Sequence, residues 1–325
     1  MTHYSPVVAA LVTMLLTLIL LVSKTGRLVQ DVPNERSLHT IPVPRIGGLG
    51  MMGGICAAWA FMPGALFWWV VVPMLLLVAV SWLDDLRGLP VRTRLLGQMM
   101  AALVTLVGSG FAWQHPVLFP VLLLAIVWMT NLYNFMDGSD GLAGGMAFFG
   151  FTAYGVAALM AGGEAHAMLN FSIGAAALGF LYYNFHPARI FMGDSGSIPL
   201  GFLAAVMGMV GWQQSLWPFW FPLIVFSPFI VDATVTLARR SLRGAKVTEA
   251  HREHYYQRLV QSGWGHRKVA FAEYGLMFLS GTLAVWASAA PVFPWMAVAA
   301  LAGLYVLLMW AVDARWQEFR RDQTN

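Results

Sequence analysis

Asp84-Asp85 stands as a pair, Asp137 and Asp140 bracket a Gly-Ser step, and Asp194 sits inside Met-Gly-Asp-Ser-Gly-Ser. Carboxylates are hard oxygen ligands, and Mg²⁺ is usually held by a few of them together with phosphate oxygens. Adjacent acids at the C-terminal end of a helix oppose its dipole, so a bound cation would offset the repulsion between Asp84 and Asp85. A single acid at a helix end is more often simply solvated, and Asp140 also suits the N-cap of a following helix. Asn131, Asn134 and Asp137 recur every three residues and therefore line one side of the last turns of a helix. Against lipid such groups are costly. They face a wet cavity or bond one another between helices. Ser195 and Ser197 read either as caps or, with Asp194, as part of a Gly-flanked ligand.

Basic groups accompany the acids. Arg36, His39 and Arg45 fall in one polar segment, Arg92 and Arg94 in a second, and His254 and Arg258 in the last. Lipid headgroups alone explain many basic residues beside a membrane. Acids for a metal and bases for phosphate, gathered at one membrane face, fit phosphoryl transfer to a lipid.

The elements that must position these groups follow from composition and charge spacing. Of 325 residues 59% are hydrophobic and 10% charged, against about 25% charged in a soluble protein. A soluble globular enzyme and a disordered chain are both excluded. Arg45 and Asp84 are separated by 38 uncharged residues and Arg94 and Asp137 by 42. Three further gaps, Asp140–Arg189, Asp194–Arg239 and Lys268–Asp313, are each broken by a single acid: Glu164, Asp232 or Glu273. A membrane-crossing helix needs about 20 apolar residues, so each gap is two helices long. Pro63-Gly64, Gly108-Ser109-Gly110, Gly162-Gly163, Gln213-Gln214 and Pro291–Pro294 supply the turns. Five hairpins plus a first segment, Pro6–Val22, predict an all-α polytopic bundle of eleven spans forming a single domain over 1–325. A cleaved signal peptide is not expected, because the first segment lacks a basic start and runs into Lys24-Thr25-Gly26-Arg27. Cys56, the lone cysteine, reads as packing.

With the N-terminus outside, all 19 Lys and Arg residues fall on one side. The positive-inside rule makes that side cytoplasmic. The cytoplasmic loops then span about 23–46, 84–94, 134–141, 184–197 and 238–268, and the C-terminal tail is cytoplasmic.

The five polar segments resemble the polyprenyl-phosphate N-acetylhexosamine-1-phosphate transferases. That family includes phospho-MurNAc-pentapeptide transferase and the sugar-phosphate transferases that start O-antigen and teichoic acid linkage units. Asn131-x-x-Asn134-x-x-Asp137-Gly-x-Asp140-Gly-Leu-Ala and Phe191-Met-Gly-Asp194-x-Gly-Ser are specific; Asp84-Asp85 alone is weak. The resemblance runs from Asp31 to Arg258. It implies transfer of a sugar 1-phosphate from a UDP-HexNAc-type donor to undecaprenyl phosphate, with Mg²⁺ (or Mn²⁺ in its place) and release of UMP. The expected place is the bacterial inner membrane, with the active site facing the cytoplasm.

Position by position, the resemblance implies Mg²⁺ ligands at Asp194 and Asp85 and a catalytic role for Asp84, Asp85 and His254. It also implies a nucleotide-side cluster of Asn131, Asn134, Asp137 and Asp140, uracil packing on Phe191, and polar or basic contacts from Asn184, Arg92, Arg36, His39 and Arg45. No nucleic acid is expected as a partner, and the oligomeric state stays open between monomer and homodimer. Two positions depart from the family pattern. Residue 88 is Gly where the family often carries Asp or Lys, and the His-rich loop reads His251-Arg-Glu-His254-Tyr-Tyr. Both point away from the peptidoglycan branch and toward an O-antigen-type starter, with GlcNAc, FucNAc and QuiNAc all open as the sugar. A secondary transporter is the rival class, but transporters place their polar groups near the midplane, whereas here they gather at one interface. A CDP-alcohol phosphotransferase lacks support, because its spaced Asp motif is not found.

Overall fold

A computed structural model describes residues 2–23, 29–33, 38, 41–246, 249, 251–289 and 294–324. Arg36 and His39 lie outside the described residues. The chain is almost entirely helical. The main helices are α1 (Ser5–Val22), α2 (Gly47–Trp59), α3 (Trp68–Arg87), α4 (Val91–Gly108), α5 (Phe119–Phe135) and α6 (Leu142–Met160). They continue as α7 (Glu164–Asn184), α8 (Asp194–Gln213), α9 (Ser227–Leu242), α10 (Gly265–Ala289) and α11 (Pro294–Thr324). Strands β1 (Gln30–Asp31) and β2 (Val43–Pro44) pair antiparallel, Gln30 opposite Pro44.

Among the described residues, seven helical segments are long and apolar enough to cross a membrane: α1, α3, α6, α7, α8, Tyr255–Ala289 and Trp295–Gln323. Exposed Leu11, Leu15 and Ile19 on α1 and Val306, Leu307 and Trp310 on α11 make their outer surfaces apolar. Lipid requires this, because only internally hydrogen-bonded helices with apolar faces are stable there.

The core centres on α8, which packs against α5, α3 and α2. Around it, α1 packs on α2 and α7, and α6 on α7 and α10. Glycine sets where these helices begin and end. α3 stops at Gly88, whose φ of 65° reverses the chain while its N–H still bonds the Asp84 carbonyl at 2.8 Å. The run Tyr255–Ala289 breaks at Ser262-Gly263, where Gly263 has φ 92°. The Arg315 guanidinium donates to the freed Ser262 carbonyl at 2.7 Å. That break aims the start of α10 at the polar end of the bundle.

Candidate active site

The acids converge because three backbone segments run side by side. The N–H groups of Gly47 and Gly48 donate to the carbonyls of Phe191 and Met192 at 2.9 and 2.8 Å, and Phe191 N–H donates to the Pro44 carbonyl at 2.8 Å. This clasp lays Arg45 beside the start of α8. Gly193 has φ 73°, and a Cβ there would meet the Arg45 carbonyl at 2.8 Å and Asp85 Oδ2 at 3.0 Å. Glycine is required on both counts.

Asp85 reaches across from the last turn of α3 and caps α8. Its Oδ1 accepts the Asp194 N–H at 3.2 Å and its Oδ2 the Ser195 N–H at 3.0 Å. A helix N-terminus offers free N–H groups and a positive dipole end, which offset part of the cost of burying this carboxylate. Arg45 Nη2 stands 3.1 Å from Asp85 Oδ1 and 3.7 Å from Asp194 Oδ1. Arg94 Nη1 stands 3.1 Å from Asp84 Oδ2 and 3.5 Å from Asp194 Oδ2. Surrounding acids raise the Arg45 pKa: burial works against its charge, but Asp85, Asp194, Asp31 and Asp137 outweigh it.

A cleft of about 360 Å³ opens beside these groups. Asp31, Leu38, Arg45, Asn134, Asp137, Gly138, Ser139, Asp140, Asn184, Phe191, Gly193, Asp194, Gln257 and His266 line it. Burial holds the Asp137 carboxyl well above the usual carboxylate range; Asp194 and Asp85 push the same way, and Arg45 opposes them. Asn134 Oδ1 accepts the Ser197 hydroxyl at 2.7 Å, tying α5 to α8. The Asp140 carboxylate accepts His186 Nδ1–H at 2.6 Å and Ala188 N–H at 3.2 Å, while α6 takes Gly141 as its N-cap. Asn184 is a brace, its Oδ1 accepting Gly141 N–H and its Nδ2 donating to the Ile190 carbonyl.

Three expected site residues stand apart from the cleft. Asn131 donates to Gln98 Oε1 at 2.6 Å and to the Val127 carbonyl, the helix–helix network that its spacing also allowed. Arg92 is exposed at the start of α4; Arg94, two residues on, is the one that meets the acids. His254 is buried against Asp232, its Nδ1 3.1 Å from Oδ1, and Asp232 also accepts the N–H groups of Tyr255 and Tyr256. Through this knot His254 positions the turn that carries Gln257 to the cleft. Conversely, Gln257 and His266 line the cleft without being among the expected site residues; the Asp232 knot places Gln257, and the break at Ser262-Gly263 lies just before His266. His266 lies between the Ser139 hydroxyl (2.9 Å to Nδ1) and the Leu38 carbonyl (3.1 Å to Nε2).

Among the described residues, no three His, Cys, Asp or Glu side chains stand close enough to hold a metal by themselves. Mg²⁺ does not need three, since phosphates and waters complete its shell. Such an ion would be held by Asp194 with Asp84 or Asp85 beside it, the acids that Arg45 and Arg94 now bridge.

The bundle thus carries seven segments long and apolar enough to cross a membrane and a polar cleft lined by acids, an arginine and an aromatic. Comparison with known proteins gives the class. Residues 67–211 match the model of glycosyl transferase family 4. A probable undecaprenyl-phosphate N-acetylglucosaminyl 1-phosphate transferase of Bacillus subtilis (strain 168) is 30% identical over 303 residues, covering 86% of this chain and 84% of that protein. A decaprenyl-phosphate N-acetylglucosaminephosphotransferase of Mycobacterium tuberculosis (strain ATCC 25618 / H37Rv) is 32% identical over 294 residues, covering 74% and 71%. A phospho-N-acetylmuramoyl-pentapeptide-transferase of Staphylococcus aureus (strain Newman) is 31% identical over 175 residues, covering 53% of each chain. The chain belongs to glycosyl transferase family 4.

Proposed function

We propose that this protein transfers a HexNAc-type sugar 1-phosphate from a UDP-sugar to undecaprenyl phosphate, forming polyprenyl-diphosphate-sugar and releasing UMP. The observation that carries the reading is the convergence of Asp84, Asp85 and Asp194 with Arg45 and Arg94 beside the Phe191-lined cleft. The names of the relatives supply the substrate class. The eleven helices α1–α11 are eleven spans, with the N-terminus outside and the C-terminus in the cytoplasm. The cleft then opens to the cytosol of a bacterial inner membrane.

In this reading the uracil packs on Phe191 and the diphosphate lies toward Arg45 and Arg94. Mg²⁺, or Mn²⁺ in its place, would be held by Asp194 together with Asp85 or Asp84, where it would neutralise charge on the transferring phosphate. An apolar groove of about 600 Å³ between α5, α8 and α9 runs along α5 from Leu118 to Leu132. It takes the prenyl chain and sets the lipid phosphate at the cleft. An oxygen of that phosphate attacks the β-phosphorus; the bond from the β-phosphorus to the bridging oxygen breaks, and UMP leaves with that oxygen. Gly88 and the sequence around His254 favour an O-antigen-type starter over the peptidoglycan branch. The test is radiolabel transfer from a panel of UDP-sugars to undecaprenyl phosphate in membranes carrying the protein, with UDP-GlcNAc tried first. Labelled lipid from one or more donors supports the reading, and no labelled lipid from any of them contradicts it.

A further inference from the structure

Asp194 is faced by two arginines, one for each carboxylate oxygen. Arg45 Nη2 lies 3.7 Å from Oδ1 and Arg94 Nη1 lies 3.5 Å from Oδ2. Each arginine shares the same nitrogen with one of the paired acids, Arg45 with Asp85 and Arg94 with Asp84, both at 3.1 Å. Asp31 Oδ1 also stands 4.0 Å from Arg45 Nη1, so four carboxylates face two guanidinium groups.

The two arginines are not equivalent. Asp85 is committed to the first turn of α8 through the Asp194 and Ser195 N–H groups, so the Arg45 bridge sits on a fixed partner. Asp84 gives one oxygen to the Leu89 N–H and keeps the other for Arg94. Arg94 stands on the first turn of α4 with its side chain 35% exposed, close to the 33% of Arg45, so what sets it apart is its partner Asp84, which caps no helix start. A divalent cation and a guanidinium compete for the same carboxylate oxygens, and the divalent ion carries the greater charge in the smaller volume. A displaced guanidinium would face an incoming diphosphate, the group whose oxygens best match its fork of donors.

We infer that Arg94 is an exchangeable counter-ion. It bridges Asp84 and Asp194 when no divalent cation is bound, yields Asp194 to the cation, and turns its guanidinium to the donor diphosphate. This rests on the transferase reading above. Because the cation frees the group that grips the donor, metal and donor should each tighten the binding of the other by one common factor.

The experiment measures Mn²⁺ binding to the detergent-purified full chain by electron paramagnetic resonance, with and without UDP-GlcNAc, at a pH where the acids are ionised. Without nucleotide, Arg94→Gln should bind Mn²⁺ about tenfold tighter than the wild type, because the internal competitor is gone. UDP-GlcNAc should then tighten Mn²⁺ binding much less in the variant than in the wild type. Arg94→Lys, which keeps the charge but loses the fork, guards against a folding defect; it should bind Mn²⁺ several-fold tighter than the wild type. Unchanged or weaker Mn²⁺ binding in both variants overturns the exchange. Asp194→Asn separates the two levels: if it binds Mn²⁺ as the wild type does, the metal site itself has been misplaced, whatever Arg94 does.

Discussion

Asp85 accepts the backbone N–H groups of Asp194 and Ser195, so one member of the acid pair builds the helix start that carries the third acid. Its neighbour Asp84 points instead at Arg94. Two adjacent residues of one type therefore do different work. Asp85→Asn should lower thermal stability by about 1–2 kcal/mol, the scale of a lost helix cap and dipole partner, as well as turnover. Asp84→Asn should lower turnover with little change in melting temperature. Paired melting and transfer assays on both variants check this; equal melting losses would contradict the division.

Much of this arrangement was legible in the sequence, and the illegible parts have physical reasons. Charge gaps located the helices, because lipid excludes charge from long stretches. Asp137, Asp140 and Asp194 stand out in the sequence as acids within Gly-rich turns, whereas Asn184 and Phe191 enter only through the family resemblance; all five line the cleft. Asn131 was not separable from Asn134, since both lie on the same helical stripe and only the position of Gln98 on α4 decides which meets a neighbour. Gln257 and His266 are not marked by any motif, because Gln257 is placed by the Asp232 knot and His266 follows a helix break at Ser262-Gly263 that Arg315 braces. The catalytic role expected for His254 comes from the family resemblance alone, and its position is set by Asp232, which no motif involves.

Asp137 offers a pH test on the metal-free protein. Its folded-state pKa is raised by burial and by Asp194 and Asp85 from the usual 3.8. The folded protein thus holds this proton more tightly than the unfolded chain, and stability falls as pH rises from the unfolded value toward the folded one. In EDTA, Asp137→Asn should melt higher than the wild type at neutral pH and should match it at low pH. Arg45→Gln should move the wild-type decline to higher pH, since Arg45 favours the ionised form. A wild-type melting curve that is flat across this range, with no gain in Asp137→Asn, would refute the assignment.

His254 tests position against proton transfer. Because it is buried on Asp232 behind the cleft, His254→Gln should raise KM and lower the melting temperature while the shape of the pH–rate profile stays unchanged. Loss of a limb of that profile would make His254 an acid–base group.

The proposed topology rests on the distribution of Lys and Arg. Cysteine placed at Gly162 or Gln213 should react with impermeant reagents added outside intact cells, and cysteine at Arg243 should not. External labelling at Arg243 would overturn the eleven-span orientation.

The central claim is a direct displacement that needs both substrates together. Purified, delipidated protein supplied with Mg²⁺ and labelled UDP-sugar should release UMP only when undecaprenyl phosphate is added, one UMP for each lipid-linked sugar phosphate formed, and Asp194→Asn should release none. UMP release or exchange into UDP-sugar without any lipid acceptor, lost in Asp84→Asn, would contradict this account and make Asp84 a nucleophile that carries the sugar phosphate.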